Sequence, residues 1–570
     1  MTLRHASLLA LSLSLCACGE TPSTAPDASV DASADAPAAD VVSADVRSVR
    51  YTPPPASVVI EPGVRREAVL VDTPAAPVNP STMAATPARL NRVRVMRYRS
   101  DAASPQAARA VIVAMPGFLG GAGSFDPLAR ALVKRGTAAM TPVEVWVIDR
   151  RSNLLEDLRG MDVADAMRDP ELAASYYLRR DLTLDGAAFE GYLGAGDPSL
   201  SYMAEWGIAS LVRDVKAVVD HVPAPRSHVV LLGHSLGASI VEAFAAWDFD
   251  GVAGYRSIAG LAMLDGVAGG TSATEAQYLT AGVSGPGGFG STSLARLRTS
   301  GPYFVALPFL GVQALVVSEI VARRAAVAPD AVVADPDRDA LYQVLLGVRT
   351  TPPLTNAAAF GFGFDEASCP LAFARMSVGA PAGAPVRMGP NAFDPTEMLT
   401  TPASETETYR WTDAPAVTPR EFTPLASGIA AWSATPTNFS EWYFPSRLSL
   451  DASALGDMTF AASAWQVREG IRTMHGGEID VPVLGVAAAL TGNASVFDRV
   501  RRRVAATVGA DLPAAGASRS DMRAFRAVHV PRMTHIDPIS GADGNPDNPV
   551  PELVFNFATA STAGTVTPTL

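Results

Sequence analysis

The chain has 570 residues, 48% hydrophobic and 18% charged, and 45 Lys and Arg against 57 Asp and Glu leave it at −12. That composition excludes a wholly disordered protein, and the acidic balance fits poorly with binding a phosphate backbone. Three cysteines, two of them Cys16 and Cys18, exclude a disulfide framework.

Residues 1–17 read as an export signal, with Arg4 at the start, an apolar stretch over 8–15 and small residues after it. The stretch is shorter than the roughly 20 apolar residues of a membrane span. The run Leu15-Cys16-Ala17-Cys18 resembles a bacterial lipobox. That resemblance implies cleavage after Ala17, a lipid on Cys18 and attachment in the cell envelope. Gly19, where an aspartate would favour the inner membrane, turns the expectation to the outer one. An ordinary secretory signal that happens to contain cysteines is the plainer alternative. With the signal removed and Cys18 lipidated, Cys369 would be the only thiol left, so no internal disulfide could form.

Residues 18–62 are expected to be a disordered acidic linker. Ala, Asp, Ser and Pro make up most of 20–45 and no aromatic residue interrupts them. Such a segment cannot bury enough apolar surface to offset its ordering entropy. From about Val64, β-rich runs alternate with amphipathic helical runs, the pattern of an α/β fold with a mostly parallel sheet flanked by helices. Strands are expected over 111–115, 143–148, 228–232, 261–264, 482–489 and 524–530. The clearest helix spans 207–221, where Ile208, Leu211, Val212, Val215, Val218 and Val219 recur at helical spacing.

The strand at 228–232 runs into Gly233-His234-Ser235-Leu236-Gly237, and a helix pattern follows. A serine on a sharp strand-to-helix turn needs small neighbours, and the turn lifts its hydroxyl above the sheet. The plainer alternative is a serine capping the helix. With strand before and helix after, Gly-His-Ser-Leu-Gly resembles the nucleophile elbow of α/β-hydrolases, in particular serine esterases and lipases. The resemblance implies a core over 63–270 and 471–570, with residues 271–470 as a large, mainly helical cap. It also implies an oxyanion hole in the Gly-rich stretch Met115-Pro116-Gly117-Phe118-Leu119-Gly120-Gly121, formed by the amides of Phe118 and Leu236. Pro116 stands where the family usually has histidine.

The family order is serine, acid, histidine. Of seven histidines, His475, His529 and His535 follow the sequence of the elbow. His529 falls within the last expected strand, whereas His535 lies in the loop after it, where a base reaches the serine. Met533-Thr534-His535-Ile536-Asp537 also resembles the His-Leu-Asp loop of these hydrolases. The family's usual acid position follows the strand at 482–489, but Leu490-Thr491-Gly492-Asn493 holds no carboxylate. Asp265, after the strand at 261–264, is the expected acid, with Asp498 as the alternative. Glu242 and Asp248 are expected to face solvent. The apolar run 304–317 is expected to contribute a lid helix or cap core, and Trp442, Tyr443 and Phe444 either line the pocket or close the cap. No cofactor is expected, and no Cys, His or carboxylate cluster has metal-ligand spacing. The expected activity is hydrolysis of a hydrophobic carboxylic ester through an acyl-enzyme on Ser235. A surface binding lipoprotein that kept the fold without turnover is the alternative.

Overall fold

A computed structural model describes residues 46–102, 107–267, 272–284, 291–306, 311–500 and 525–562. The signal, Cys18 and the acidic run up to residue 45 lie outside the described residues. The central sheet has nine strands: β1 (Ser57–Glu61), β2 (Val64–Asp72), β3 (Arg92–Arg99), β4 (Ala110–Met115), β5 (Val143–Asp149), β6 (Val229–His234), β7 (Gly260–Leu264), β8 (Val483–Ala487) and β9 (Phe525–His529). Their spatial order is β9-β8-β7-β6-β4-β5-β3-β2-β1. The pairs β5–β4, β4–β6, β6–β7, β7–β8 and β8–β9 are parallel, and β1–β2, β2–β3 and β3–β5 are antiparallel.

Strands β4, β6, β7 and β8 are buried at every residue. They read as unbroken apolar runs because both faces of the sheet are covered. Helices α1 (Asp126–Ala138), α2 (Ile208–His221), α3 (Leu236–Ala246) and, near the end of the chain, Val550–Ser561 supply that cover. In register, Met115 pairs with Gly233, Leu264 with His234 and Leu264 with Val486. The C-terminal ends of β4, β6, β7 and β8 therefore finish together, and the loops leaving them converge at one edge of the sheet.

Two expectations need correction. The linker does not extend to residue 62: Arg47–Val49 pairs in parallel with Leu182–Leu184, and β1 joins the sheet. Residues 151–205 are not plain core. They form short helices, including Arg159–Met167 and Pro170–Ala174, that pack against the insertion helix α4 (Gly311–Val327). The insertion also carries strands as well as helices. Gly379–Ala382 pairs with Arg410–Asp413, and Val386–Pro390 pairs with Met398–Pro402, both antiparallel. The helices α5 (Pro336–Leu346), α6 (Asn356–Phe364) and α7 (Leu425–Trp432) complete it. No helix among the described residues is long and apolar enough to cross a membrane.

Candidate active site

Strand β6 ends at His234, and α3 starts at Leu236. Between them Ser235 adopts φ 56° and ψ −125°, a conformation that non-glycine residues rarely hold and that stores strain. Its backbone is fixed from both sides: its amide donates to Leu264 O at 2.9 Å, and its carbonyl accepts from Ala238 N at 3.0 Å. The flanking glycines are required by contact. A Cβ on Gly233 would sit 2.2 Å from Gly237 O, and one on Gly237 would sit 2.0 Å from Met115 O.

Asp265 follows β7 directly, is fully buried, and lies 2.8 Å from His535 Nδ1 through its Oδ2. Its Oδ1 accepts from Ala488 N, Thr491 N and Thr491 Oγ at 2.9, 3.0 and 2.6 Å, and Oδ2 also accepts from Leu490 N at 3.0 Å. The turn after β8 thus supplies donors to a carboxylate carried by the neighbouring strand. Burial by itself raises the Asp265 carboxyl, but His535 and the Thr491 donors outweigh it and hold the group down to about 2. Asp498 ends the short helix Ala494–Phe497, and Asn493 caps that helix by accepting from Ser495 N at 2.9 Å. The described contacts join neither residue to His535.

Two residues passed over in the sequence hold the His535 loop. His234, inside the elbow, places Nε2 2.7 Å from His535 O, with the two rings 4.6 Å apart. Burial first, and repulsion from His535 second, depress His234 to about 3. It is therefore a neutral imidazole at ordinary pH, donating from Nε2. Asp537 accepts at Oδ1 from Ser377 N and Thr423 Oγ, at 3.0 and 2.7 Å. Its Oδ2 accepts from Ser377 Oγ and Thr534 N, at 2.7 and 2.8 Å. Ile536 N and Thr534 Oγ both donate to Arg375 O, at 3.1 and 2.8 Å. The loop is therefore docked on the insertion. The signal for Asp537 was its place two residues after His535; His234 gave none beyond the motif.

Ser235, His535, Gly117 and Phe118 line one cleft. Most of its apolar wall comes from the insertion, including Leu315, Leu341, Leu345, Phe364, Phe373 and Trp432. Leu236 is the first residue of α3, where an amide has no acceptor within the helix. Gly117 closely approaches Ser235, since a Cβ there would lie 2.7 Å from Ser235 Cβ. The described contacts contain no Ser235–His535 hydrogen bond.

Two carboxylates expected to face solvent do not. Glu242 is buried and pairs with Arg499 at 3.0 Å, because α3 is enclosed on nearly all sides. Asp248 is half-buried and pairs with Arg472 at 2.5 Å. His529 is exposed at the end of β9. Trp442, Tyr443 and Phe444 are buried and close the insertion against the body instead of lining the cleft. No His, Cys, Asp and Glu grouping suited to a metal ion occurs among the described residues.

No family model matches the chain, and no curated protein matches it. Solved structures similar to it include epoxide hydrolase A from Mycobacterium thermoresistibile, at 14% identity over 85% of this chain and 98% of that one, TM-score 0.33. A peroxisomal alpha-beta-hydrolase from Saccharomyces cerevisiae is 9% identical over 87% of each chain, TM-score 0.34. The esterase Est22 is 14% identical over 40% of this chain and 49% of its own, TM-score 0.20. Likenesses this distant say nothing about what the chain acts on. Its mostly parallel sheet and strand–elbow–helix unit stand on their own geometry.

Proposed function

We propose that the chain is a serine hydrolase of the α/β-hydrolase type that cleaves carboxylic esters with a hydrophobic acyl group. The observation that carries this reading is the Asp265–His535 pair, at 2.8 Å, opening into the same apolar cleft as the strained Ser235. With Nδ1 committed to Asp265, His535 has Nε2 left for the serine. That nitrogen takes the Ser235 Oγ proton as Oγ attacks the ester carbonyl carbon. The amides of Phe118 and Leu236 receive the oxyanion that forms. Collapse breaks the bond to the alcohol oxygen, which leaves with the proton from His535. Water, deprotonated by His535, then attacks the acyl carbon; the bond to Ser235 Oγ breaks, Oγ takes the proton back from His535, and the carboxylic acid leaves. Asp265 stays ionised throughout and stabilises the imidazolium.

The apolar wall favours an acyl chain over a peptide, and the insertion, read as a cap over 271–470, supplies it. The lipobox resemblance supports a lipid on Cys18 and an outer-membrane setting for the same enzyme.

A fluorophosphonate probe and p-nitrophenyl esters of graded acyl length test the reading. Wild type is expected to label and to hydrolyse, and Ser235→Ala to do neither. A wild type that binds acyl esters but never labels would point to the binding lipoprotein instead.

A further inference from the structure

Three carbonyls of the loop after β4 converge on a single buried cation. Arg150, immediately after β5 and 3% exposed, donates from Nη2 to Pro116 O and Gly117 O at 2.5 and 3.0 Å. From Nη1 it donates to Gly120 O at 3.1 Å and to Glu441 Oε2 at 2.6 Å. Arginine and carboxylate usually meet as two matched forks. Here Glu441 gives its other oxygen to Ser152 Oγ, and Arg150 gives the whole of Nη2 to loop carbonyls. The guanidinium serves the loop more than the ion pair.

The peptide plane converts that into a statement about the cleft. In a trans peptide the C=O and the following N–H point in opposite directions. Holding Gly117 O on Arg150 therefore turns the Phe118 N–H away from Arg150. The Gly120–Gly121 peptide shows the same alternation. Gly120 O sits on Arg150, and Gly121 N donates the other way, to Phe439 O at 2.7 Å. Phe439 lines the cleft. The Arg150 side chain also lies over the Phe444 ring at 5.3 Å, and that ring meets Phe118 edge-on at 4.9 Å.

We propose that Arg150 is a positioning residue that aims the Phe118 amide at the oxyanion, with Glu441 of the insertion holding it in place. The proposal rests on the ester-hydrolase reading above. It also gives Pro116 a role, since a residue without an N–H still offers its carbonyl to the clamp. Lysine cannot replace the planar fork, because its single ammonium cannot span three carbonyls with that geometry.

The test compares wild type with Arg150→Lys, Arg150→Met and Glu441→Gln in the full chain. The readouts are kcat and KM on one p-nitrophenyl ester, inhibition by a trifluoromethyl ketone and thermal unfolding. Misplacing one oxyanion donor costs roughly 10²–10³ in kcat. Arg150→Met is expected to fall into that range with KM within about twofold of wild type. Trifluoromethyl ketone affinity is expected to fall in step with kcat/KM. Arg150→Lys should recover only part of the loss, and Glu441→Gln should lose least. Should Arg150→Met fail to fold, Arg150→Lys carries the test. A folded Arg150→Lys with unchanged kcat and ketone affinity, or a loss confined to KM, overturns the proposal while leaving the ester reading standing. A wild type inert to both ester and fluorophosphonate overturns both.

Discussion

Thr491 shows how a site is assembled by residues that carry no chemistry themselves. Its amide and hydroxyl both donate to Asp265 Oδ1, so it helps to keep the acid of the proposed triad ionised. Asp265 was legible because it directly follows an apolar strand run. Thr491 was not, because its partner lies 226 residues away and only the β7–β8 pairing brings them together. The same turn looked like a defect in the sequence, since it lacked a carboxylate. Thr491→Val is expected to raise the Asp265 carboxyl and to cost about 1.5 kcal/mol of stability at pH 7, the size of one hydrogen bond to a charged group. Urea midpoints check this: the gap to wild type should shrink as pH falls towards the folded Asp265 value of about 2, where the acid is protonated in both proteins. A gap that does not change with pH would remove Thr491 from the account.

Helix α4 carries a buried acid behind the cleft. Glu319 Oε1 accepts from Asn438 Nδ2, Ser440 Oγ and Trp442 Nε1 at 3.0, 2.6 and 3.1 Å. Glu156 accepts from Trp442 N at 2.8 Å in the same region, and Arg323 lies on the same helix. Burial pushes Glu319 up to about 7, against the opposing pull of Arg323 and the three donors. The folded chain therefore keeps this proton up to about pH 7, whereas the unfolded chain releases it near 4.5. The stability it contributes is complete below the unfolded value and is lost as pH rises through the folded one. Relative to Glu319→Gln, wild type is expected to lose a few kcal/mol at most between pH 5 and pH 8. Urea midpoints of both proteins across that range measure the difference, and a flat difference would contradict it. At this scale the sequence was uneven. The parallel strands announced themselves as apolar runs, because burial on two faces leaves one pattern. The pairs Arg47–Val49 with Leu182–Leu184, and those within 379–413, depend on partners and register that no local pattern encodes.

Across the whole molecule, the insertion is fastened to the body by ion pairs as well as by apolar packing. Arg323 meets Asp165 at 2.9 Å and Arg324 meets Glu171 at 2.7 Å, while Arg447 meets Asp451, one turn along its own helix, at 2.7 Å. Asp451 in turn accepts from Ile208 N at 2.8 Å, placing a carboxylate at the start of α2, where the helix dipole favours it. Arg447 also reaches Glu205 Oε2 at 3.4 Å. Breaking a buried pair strands its partner, at a cost of about 3–5 kcal/mol. Arg447→Met is expected to fall in that range by urea denaturation, and a change under about 1 kcal/mol would show that the cluster relaxes or hydrates instead. The length of the insertion was plain from the spacing of the expected strands, but its attachment was not, because Asp165, Glu171, Glu205 and Ile208 all lie far along the chain from the insertion residues they meet.

Ser377 and Thr423 belong to the insertion, yet they grip Asp537, two residues from the imidazole. The segment that walls the cleft is also the cradle of the proposed base. Trimming it to admit bulkier esters would unseat His535 along with the wall, so a shortened chain would make a slower enzyme and not a more permissive one.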